Sequence, residues 1–390
     1  MKKCKIFLYI LIALLGCMPL WAGDFGLVLD QSLELNNAGL DYTGILIPRF
    51  SALLGENGGF YISAGAKFQN NPWTIVPELL RTEFNWGSGS KEFKIGRVHY
   101  SDPLGYIANG LFDGAGFSMD TQAGTFSAAA FYTGLLYKKR ANITMTDGEL
   151  KSASSDLVYT DFLKTYFAPK RIVAALGWEH PGLRDLVYVN LALLGQYDFS
   201  AADLHSQYLA AKISIPYNDF IFDLGGSLEL IEDSGKFGIG LAGELGAVWM
   251  LPTRIEDRLS FLGRFSSGTM DNSRIKAFLP ITTNPQGYLL QPKLSGISMI
   301  SIDYLGRFHK TFSALLSSSY FIRSDLNSHT LIGNNGWFLG NEFYGQVMWS
   351  PVSDIQVNLG GGVFLPSLGN AAPKADLQWR VELNVILSLY

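Results

Sequence analysis

Apolar and polar residues alternate one by one along most of this chain. Phe60, Ile62, Ala64, Ala66 and Phe68 are apolar, while Tyr61, Ser63, Gly65, Lys67 and Gln69 between them are polar or small. A period of two sends successive side chains to opposite faces of an extended backbone, so the segment predicts a strand with one apolar face. The pattern recurs in Phe25, Leu27, Leu29 and Leu33, in Phe220, Phe222, Leu224, Leu228 and Leu230, and in Leu377 through Leu389 at every second position. Eighteen such segments are predicted, at 24–36, 42–54, 59–69, 75–86, 91–98, 113–121, 124–137, 171–180, 186–198, 205–217, 219–231, 236–251, 257–268, 294–308, 310–323, 337–350, 353–365 and 376–390. Sixteen is the next even count that merging neighbours would give.

The connections alternate as well. Those after even segments are short, such as Gly55-Glu56-Asn57-Gly58, Gln122-Ala123 and His309-Lys310, whereas every long one (138–170, 269–293, 324–336) follows an odd segment. Aromatic residues in the apolar phase flank the short turns: Phe50 and Phe60, Trp86 and Phe93, Tyr217 and Phe220, Phe308 and Phe312, with Trp178, Trp249 and Trp349 at other even-segment ends. An aromatic girdle at one rim, tight turns on that rim and longer loops on the other are the marks of a transmembrane, up-and-down antiparallel β-barrel with periplasmic turns and extracellular loops. Unpaired backbone groups in hydrocarbon cost several kcal/mol each, so such a sheet must close on itself. The expected fold class is therefore all-β.

Composition agrees: the chain is 48% hydrophobic, 13% aromatic and only 16% charged, without a second apolar run near the roughly twenty residues of a membrane helix. Residues 1–22 read as a secretory leader, with Lys2, Lys3 and Lys5 ahead of an apolar core and Pro19 before Leu20-Trp21-Ala22. Leu14-Leu15-Gly16-Cys17 offers the alternative of a lipidated Cys17. The single remaining domain is 23–390. Both cysteines, Cys4 and Cys17, lie in the leader, which excludes a disulfide framework and thiolate chemistry beyond it. Without the three leader lysines, 27 basic side chains face 34 acidic ones, a formal charge of −7, and no basic run points to nucleic acid.

Few motifs carry chemistry. Gly238, Gly240 and Gly243 form a G-x-G-x-x-G, but it lies inside a predicted strand with no helix to present to a phosphate, so its glycines read as small lumen-side residues. His99 with Asp102 is the one histidine and carboxylate pair of interest. No catalytic residue, metal ligand or cofactor is expected. The polar phase of the strands carries charges of both signs, among them Lys67, Arg81, Glu83, Lys94, Lys212, Glu229, Glu244, Glu342, Arg380 and Glu382. Arg or Lys facing lipid at mid-depth costs about 2–4 kcal/mol, so these side chains are expected to face an aqueous lumen.

With these features the chain resembles bacterial outer-membrane porins, and by strand number and short turns the eighteen-stranded monomeric channels, including substrate-specific and alginate-export porins. The resemblance is one of architecture over 23–390. It implies a site in the bacterial outer membrane, contact with its lipid, insertion by the barrel assembly machinery and passive passage of small hydrophilic solutes. A surface-exposed adhesion or ligand-binding barrel without an open pore is the alternative, and an outer-membrane hydrolase a third reading. In porins the third outer loop commonly folds into the lumen, which here designates 99–112 within KIGRVHYSDPLGYIANGLFDGAGF, Lys94 to Phe117. Segments thirteen to fifteen lie across the ring and carry Arg258, Arg264, Arg307 and Arg323. The expected constriction sets this basic wall, with His99 nearby, against Asp102 and Asp113. Arg97 is out of phase with inward Lys94, which predicts a bulge at Gly96 or an early exit of the strand.

Overall fold

In the computed structural model the chain is described over residues 23–389, apart from 71–72, 184–185, 200–203, 234, 269–276 and 327–335; the leader, Tyr390 and parts of the expected long loops lie outside the described residues. The eighteen strands are β1 (Gly23–Asn36), β2 (Gly39–Leu54), β3 (Gly58–Asn70), β4 (Trp73–Ser88), β5 (Lys91–Ser101), β6 (Asn109–Thr121), β7 (Gly124–Tyr132), β8 (Arg171–Leu183), β9 (Val187–Asp198), β10 (His205–Tyr217), β11 (Phe220–Asp233), β12 (Lys236–Met250), β13 (Glu256–Ser266), β14 (Ile297–His309), β15 (Phe312–Arg323), β16 (Phe338–Val352), β17 (Ile355–Leu365) and β18 (Gln378–Leu389). Each pairs antiparallel with its neighbours in sequence, and β1 pairs with β18 from Leu27 opposite Leu389 to Asn36 opposite Arg380, closing the ring.

Because partners opposite one another share a face, the register sorts the side chains. Leu224, Leu228 and Leu230 of β11 are exposed on the outer surface beside Leu245, Leu241 and Ile239 of β12, while Ser227, Glu229 and Glu244 are buried on the inner one. The girdle is present at the short-turn rim. Phe50 and Phe60 stand 6.3 Å apart, Phe220 stacks on Trp249 at 5.7 Å, and Trp178 donates its indole N–H to the Ala123 carbonyl at 2.8 Å.

The interior departs from a uniformly polar lumen. Val98, Phe112, Phe131, Val173, Leu194, Phe321 and Phe364 face inward and are buried, because loops folded inside the ring cover them and keep water off. Loop 4 (residues 133–170) carries two short helices, α1 (Asp147–Ser154) and α2 (Phe162–Thr165). Strand β7 ends at Tyr132, short of the predicted 137, because Thr133 turns the chain into loop 4 by donating its hydroxyl to the Pro169 carbonyl.

Around Gly96 there is neither the expected bulge nor an early end of the strand: the ladder between β5 and β6 runs in register through Arg97 opposite Asp113 to Ser101 opposite Asn109, with Arg97 on the outer face. The strand does leave its other neighbour: pairing of β4 with β5 stops at Thr82 opposite Arg97, so Trp73 to Arg81 pair with β3 alone. Gly96 has φ +130°, and a β-carbon there would lie 2.0 Å from the Thr82 carbonyl oxygen. Gly96→Val is expected to destabilise the barrel by more than about 2 kcal/mol, through positive-φ strain plus that collision. Urea unfolding in lipid vesicles followed by tryptophan fluorescence checks it.

Candidate functional site: two loops crossing the lumen

Loop 3 is a tight inward turn at 102–108. Asp102, 4% exposed, accepts backbone N–H bonds from Leu104 (2.8 Å), Gly105 (3.1 Å), Ile107 (2.8 Å) and Ala108 (2.8 Å). Gly105 takes φ +69° to allow the turn. Burial pushes the Asp102 carboxyl above the ordinary aspartate value, and the four N–H bonds hold part of that rise back. Tyr106, Ile107 and Ala108 are fully buried, and Leu104 lies against Gly225, where any β-carbon would meet its Cδ2 at 2.5 Å.

Loop 7 joins β13 to β14 and its described part, 277–296, crosses the ring from one wall to the other. At the near wall, buried Glu229 of β11 accepts the Leu279 N–H at 2.7 Å and the Tyr208 hydroxyl at 3.0 Å. Phe278 sits over Gly240, the central glycine of the G-x-G-x-x-G run. That glycine is therefore a seat for a loop, as a lumen-side small residue should be; Gly238 shares its face, while Gly243, an odd number of residues on, points to the outside. In mid-span the Thr282 N–H donates to the Ile107 carbonyl at 3.0 Å and the Thr282 hydroxyl accepts the Asn109 N–H at 2.8 Å, tying loop 7 to loop 3. Thr144 and Asn142 of loop 4 bond to Ile281 and Thr283 on the other side. At the far wall Glu342 of β16, 1% exposed, accepts N–H bonds from Tyr288 (2.6 Å), Leu289 (2.7 Å) and Leu290 (2.9 Å), and Tyr288 stacks on Tyr344 at 4.2 Å. Three buried carboxylates thus pin a crossbeam of two loops.

Polar side chains frame the crossbeam. Arg264 donates to Glu244 (2.9 Å) and to Gln286 of loop 7 (2.7 Å), with its guanidinium 5.0 Å from the Tyr106 ring centroid. Lys212 joins Glu244 at 3.2 Å. At the far end Arg380 donates to the Tyr288 carbonyl at 2.5 Å and lies 3.6 Å from Glu382 and 4.0 Å from Glu34. The inner face of β16–β18 and β1–β4 continues the polar lining, with Asn358 bonded to Asn384, Asn384 to Asp30, and Arg81 over the Tyr61 ring. Toward the short-turn rim a recess of about 570 Å³ is lined by Asp24, Ser51, Tyr61, Arg81, Glu83 and Asn85 among others.

The residues expected at the constriction fall in several places. Arg264 is on the crossbeam. Arg258 shares its face nearer the short-turn rim, and Arg307 lies at that rim, half exposed and paired with Glu256 at 3.0 Å. Arg323 is buried at the opposite end of β15, donating to the Leu326 carbonyl at 3.3 Å. Asp102 faces its own loop. Asp113 is on the other face of β6 from buried Phe112 and takes both its oxygens to Arg97, Nε and Nη2 each at 2.8 Å. His99 is exposed on the face of β5 opposite inward Val98 and Tyr100. Neither aspartate therefore opposes the arginine wall; the carboxylate that meets Arg264 is Glu244. An aspartate in a glycine-rich turn satisfies nearby backbone donors more readily than it holds a free charge over a pore, which explains the difference. Loop 7 was not expected inside; the apolar runs Phe278-Leu279-Pro280-Ile281 and Tyr288-Leu289-Leu290, out of place in a solvated loop, are the sequence signal for it.

Arg264→Gln removes one positive charge from the crossbeam. At about 8 Å in water that charge is worth roughly 0.5 kcal/mol to a passing ion, with opposite sign for cations and anions, so cation-over-anion permeability should rise up to about fivefold at low salt, as read from reversal potentials in a salt gradient.

A closed ring of eighteen strands with an apolar exterior and loops folded through its interior defines the class, a β-barrel built to span a membrane. Within that class the fold is shared with solved Pseudomonas aeruginosa proteins. OccK3 (OpdO) is 11% identical with TM-score 0.64, covering 94% of this chain and 96% of that one. OpdK, solved with vanillate, is 11% identical with TM-score 0.63, over 94% and 98%. OprD is 11% identical with TM-score 0.60, over 94% and 95%. No family model matches the chain, and no curated protein matches it in sequence.

Proposed function

We propose that this chain is a channel of the bacterial outer membrane that passes small hydrophilic solutes without a cofactor or covalent step. The observation that carries this reading is the division of the lumen. The crossbeam packs apolar side chains against strands between β5 and β17, while β18 and β1–β4 keep a polar inner wall of both signs beside it. Paired charges and amides along a wall replace part of a solute's hydration shell without holding it tightly. Loops 3 and 7 set the constriction, with Arg264, Glu244, Lys212, Arg380 and Glu382 at its edge. In this reading residues 1–22 direct export and are removed, the barrel assembly machinery inserts the chain, and the apolar exterior contacts lipid. Because a barrel of this fold was solved with vanillate, small carboxylates belong among the solutes tested.

Purified full-length protein in liposomes tests this by swelling. Flux that falls with solute size from pentose to trisaccharide is expected; no flux of any solute would overturn the channel reading.

A further inference from the structure

The open seam between β4 and β5 has an occupant of its own. The carbonyls of Ile75, Pro77 and Leu79, at alternate positions on the free edge of β4, accept side-chain donors instead of a strand: the Tyr159 hydroxyl, the Tyr166 hydroxyl (3.2 Å) and Arg97 Nη1 (2.6 Å). Pro77 has no N–H to leave unmet there, as suits an edge. Two of the three donors come from loop 4. That part of the loop is held by a hairpin-like bridge between Tyr137 and Phe167 and by the stacked rings of Phe162 and Tyr166. Along this stretch the wall is closed by side chains, two of them from loop 4, in place of a ladder of backbone bonds.

The two sides of the seam differ in character. Outside, Ile75, Leu79, Leu135, Tyr159 and Leu163 are exposed at 37–76%. On the inner face of β4, Glu78 pairs with Arg140 of loop 4 at 3.2 Å, and Lys67 lies on the same face of the adjoining strand. Two cations and one carboxylate leave a local positive charge behind an apolar rim.

The geometry points to a lateral portal: the β4–β5 seam, closed by residues 157–167, admits an amphiphile with one apolar tail and an anionic head from the hydrocarbon layer, its head drawn to Arg140 and Lys67. Opening it requires the two tyrosine hydroxyls to leave their carbonyls and no ladder pair to break. Arg97, bonded to Asp113, Leu79 and Leu135 together, marks the end of the opening.

Because both native cysteines lie within residues 1–22, Ile75→Cys with Tyr159→Cys introduces a clean pair at two exposed positions, to be joined by a bis-methanethiosulfonate linker and released with dithiothreitol. The probe is dodecanoate carrying a diazirine beside its carboxylate, photolysed in proteoliposomes and mapped by mass spectrometry. Expected are adducts on Glu78 and Tyr137 in the released protein, falling at least tenfold when the linker is in place, while sugar-driven swelling of the same vesicles is unchanged. Arg140→Gln should lower those inner adducts several-fold for the carboxylate probe and leave labelling by the matching neutral alcohol alone. Adducts confined to outer-surface residues, or inner adducts indifferent to the linker, would overturn the portal whatever the swelling result.

Discussion

Replacing Arg97 with alanine is expected to lower the stability of the barrel by about 3–5 kcal/mol, the range for removing one partner of a buried ion pair. The guanidinium is 4% exposed and makes four hydrogen bonds, two to Asp113 and one each to the Leu79 and Leu135 carbonyls. Without it, Asp113 keeps a charge on the outer face of β6 beneath loop 4, and two carbonyls lose their donor where no water replaces it. Most of the cost is this stranded desolvation rather than the attraction lost. The double variant Arg97→Met with Asp113→Leu should therefore be less damaging than Arg97→Ala alone. Urea midpoints in lipid vesicles give the comparison, and a double variant as poor as the sum of its singles would contradict this reasoning.

The second large effect is expected at Asp102. Asp102→Ala removes the acceptor of four backbone N–H groups, each a charge-assisted bond worth about 1.5–3 kcal/mol in isolation and less in sum, because the donors regain water as the turn loosens. The barrel wall makes none of these bonds, so the cost falls on loop 3. The chain should still insert and close, but Tyr106 and Ile107 should leave their packing on loop 7. Single-channel conductance should rise, with broader open-state noise. Asp102→Asn keeps one of the two acceptor oxygens, and so two of the four N–H bonds, and should lie between. Unchanged conductance in Asp102→Ala would mean that loop 3 does not bound the path.

Period-two alternation made the wall legible because each strand faces two different solvents. Leu224, Leu228 and Leu230 could only face lipid if Asp223, Ser227 and Glu229 faced inward, and the register bears this out. Strand ends were less legible where a loop captures the chain, as Thr133 does after β7. The inward turn at loop 3 could be read from its position and glycines, but the role of its aspartate could not, since four N–H donors converge on Asp102 only after the turn forms. Arg97 shows a related limit. Its phase points outward, as alternation says, and what makes that tolerable is Leu135, thirty-eight residues away in sequence. Loop 7 is the largest omission: Glu229 and Glu342 look like ordinary lumen charges until Leu279 and Tyr288 are placed beside them.

The proposed channel needs an aqueous path between the crossbeam and the polar wall of β18 and β1–β4. Recording in planar bilayers tests it most directly, with the native chain compared against one in which residues 283–290 are replaced by a short glycine-serine link. Discrete open steps are expected for the native chain and larger ones once loop 7 no longer reaches Glu342. Bilayers that stay silent with both proteins, after each has been shown folded by its heat-dependent shift on a gel, would contradict it.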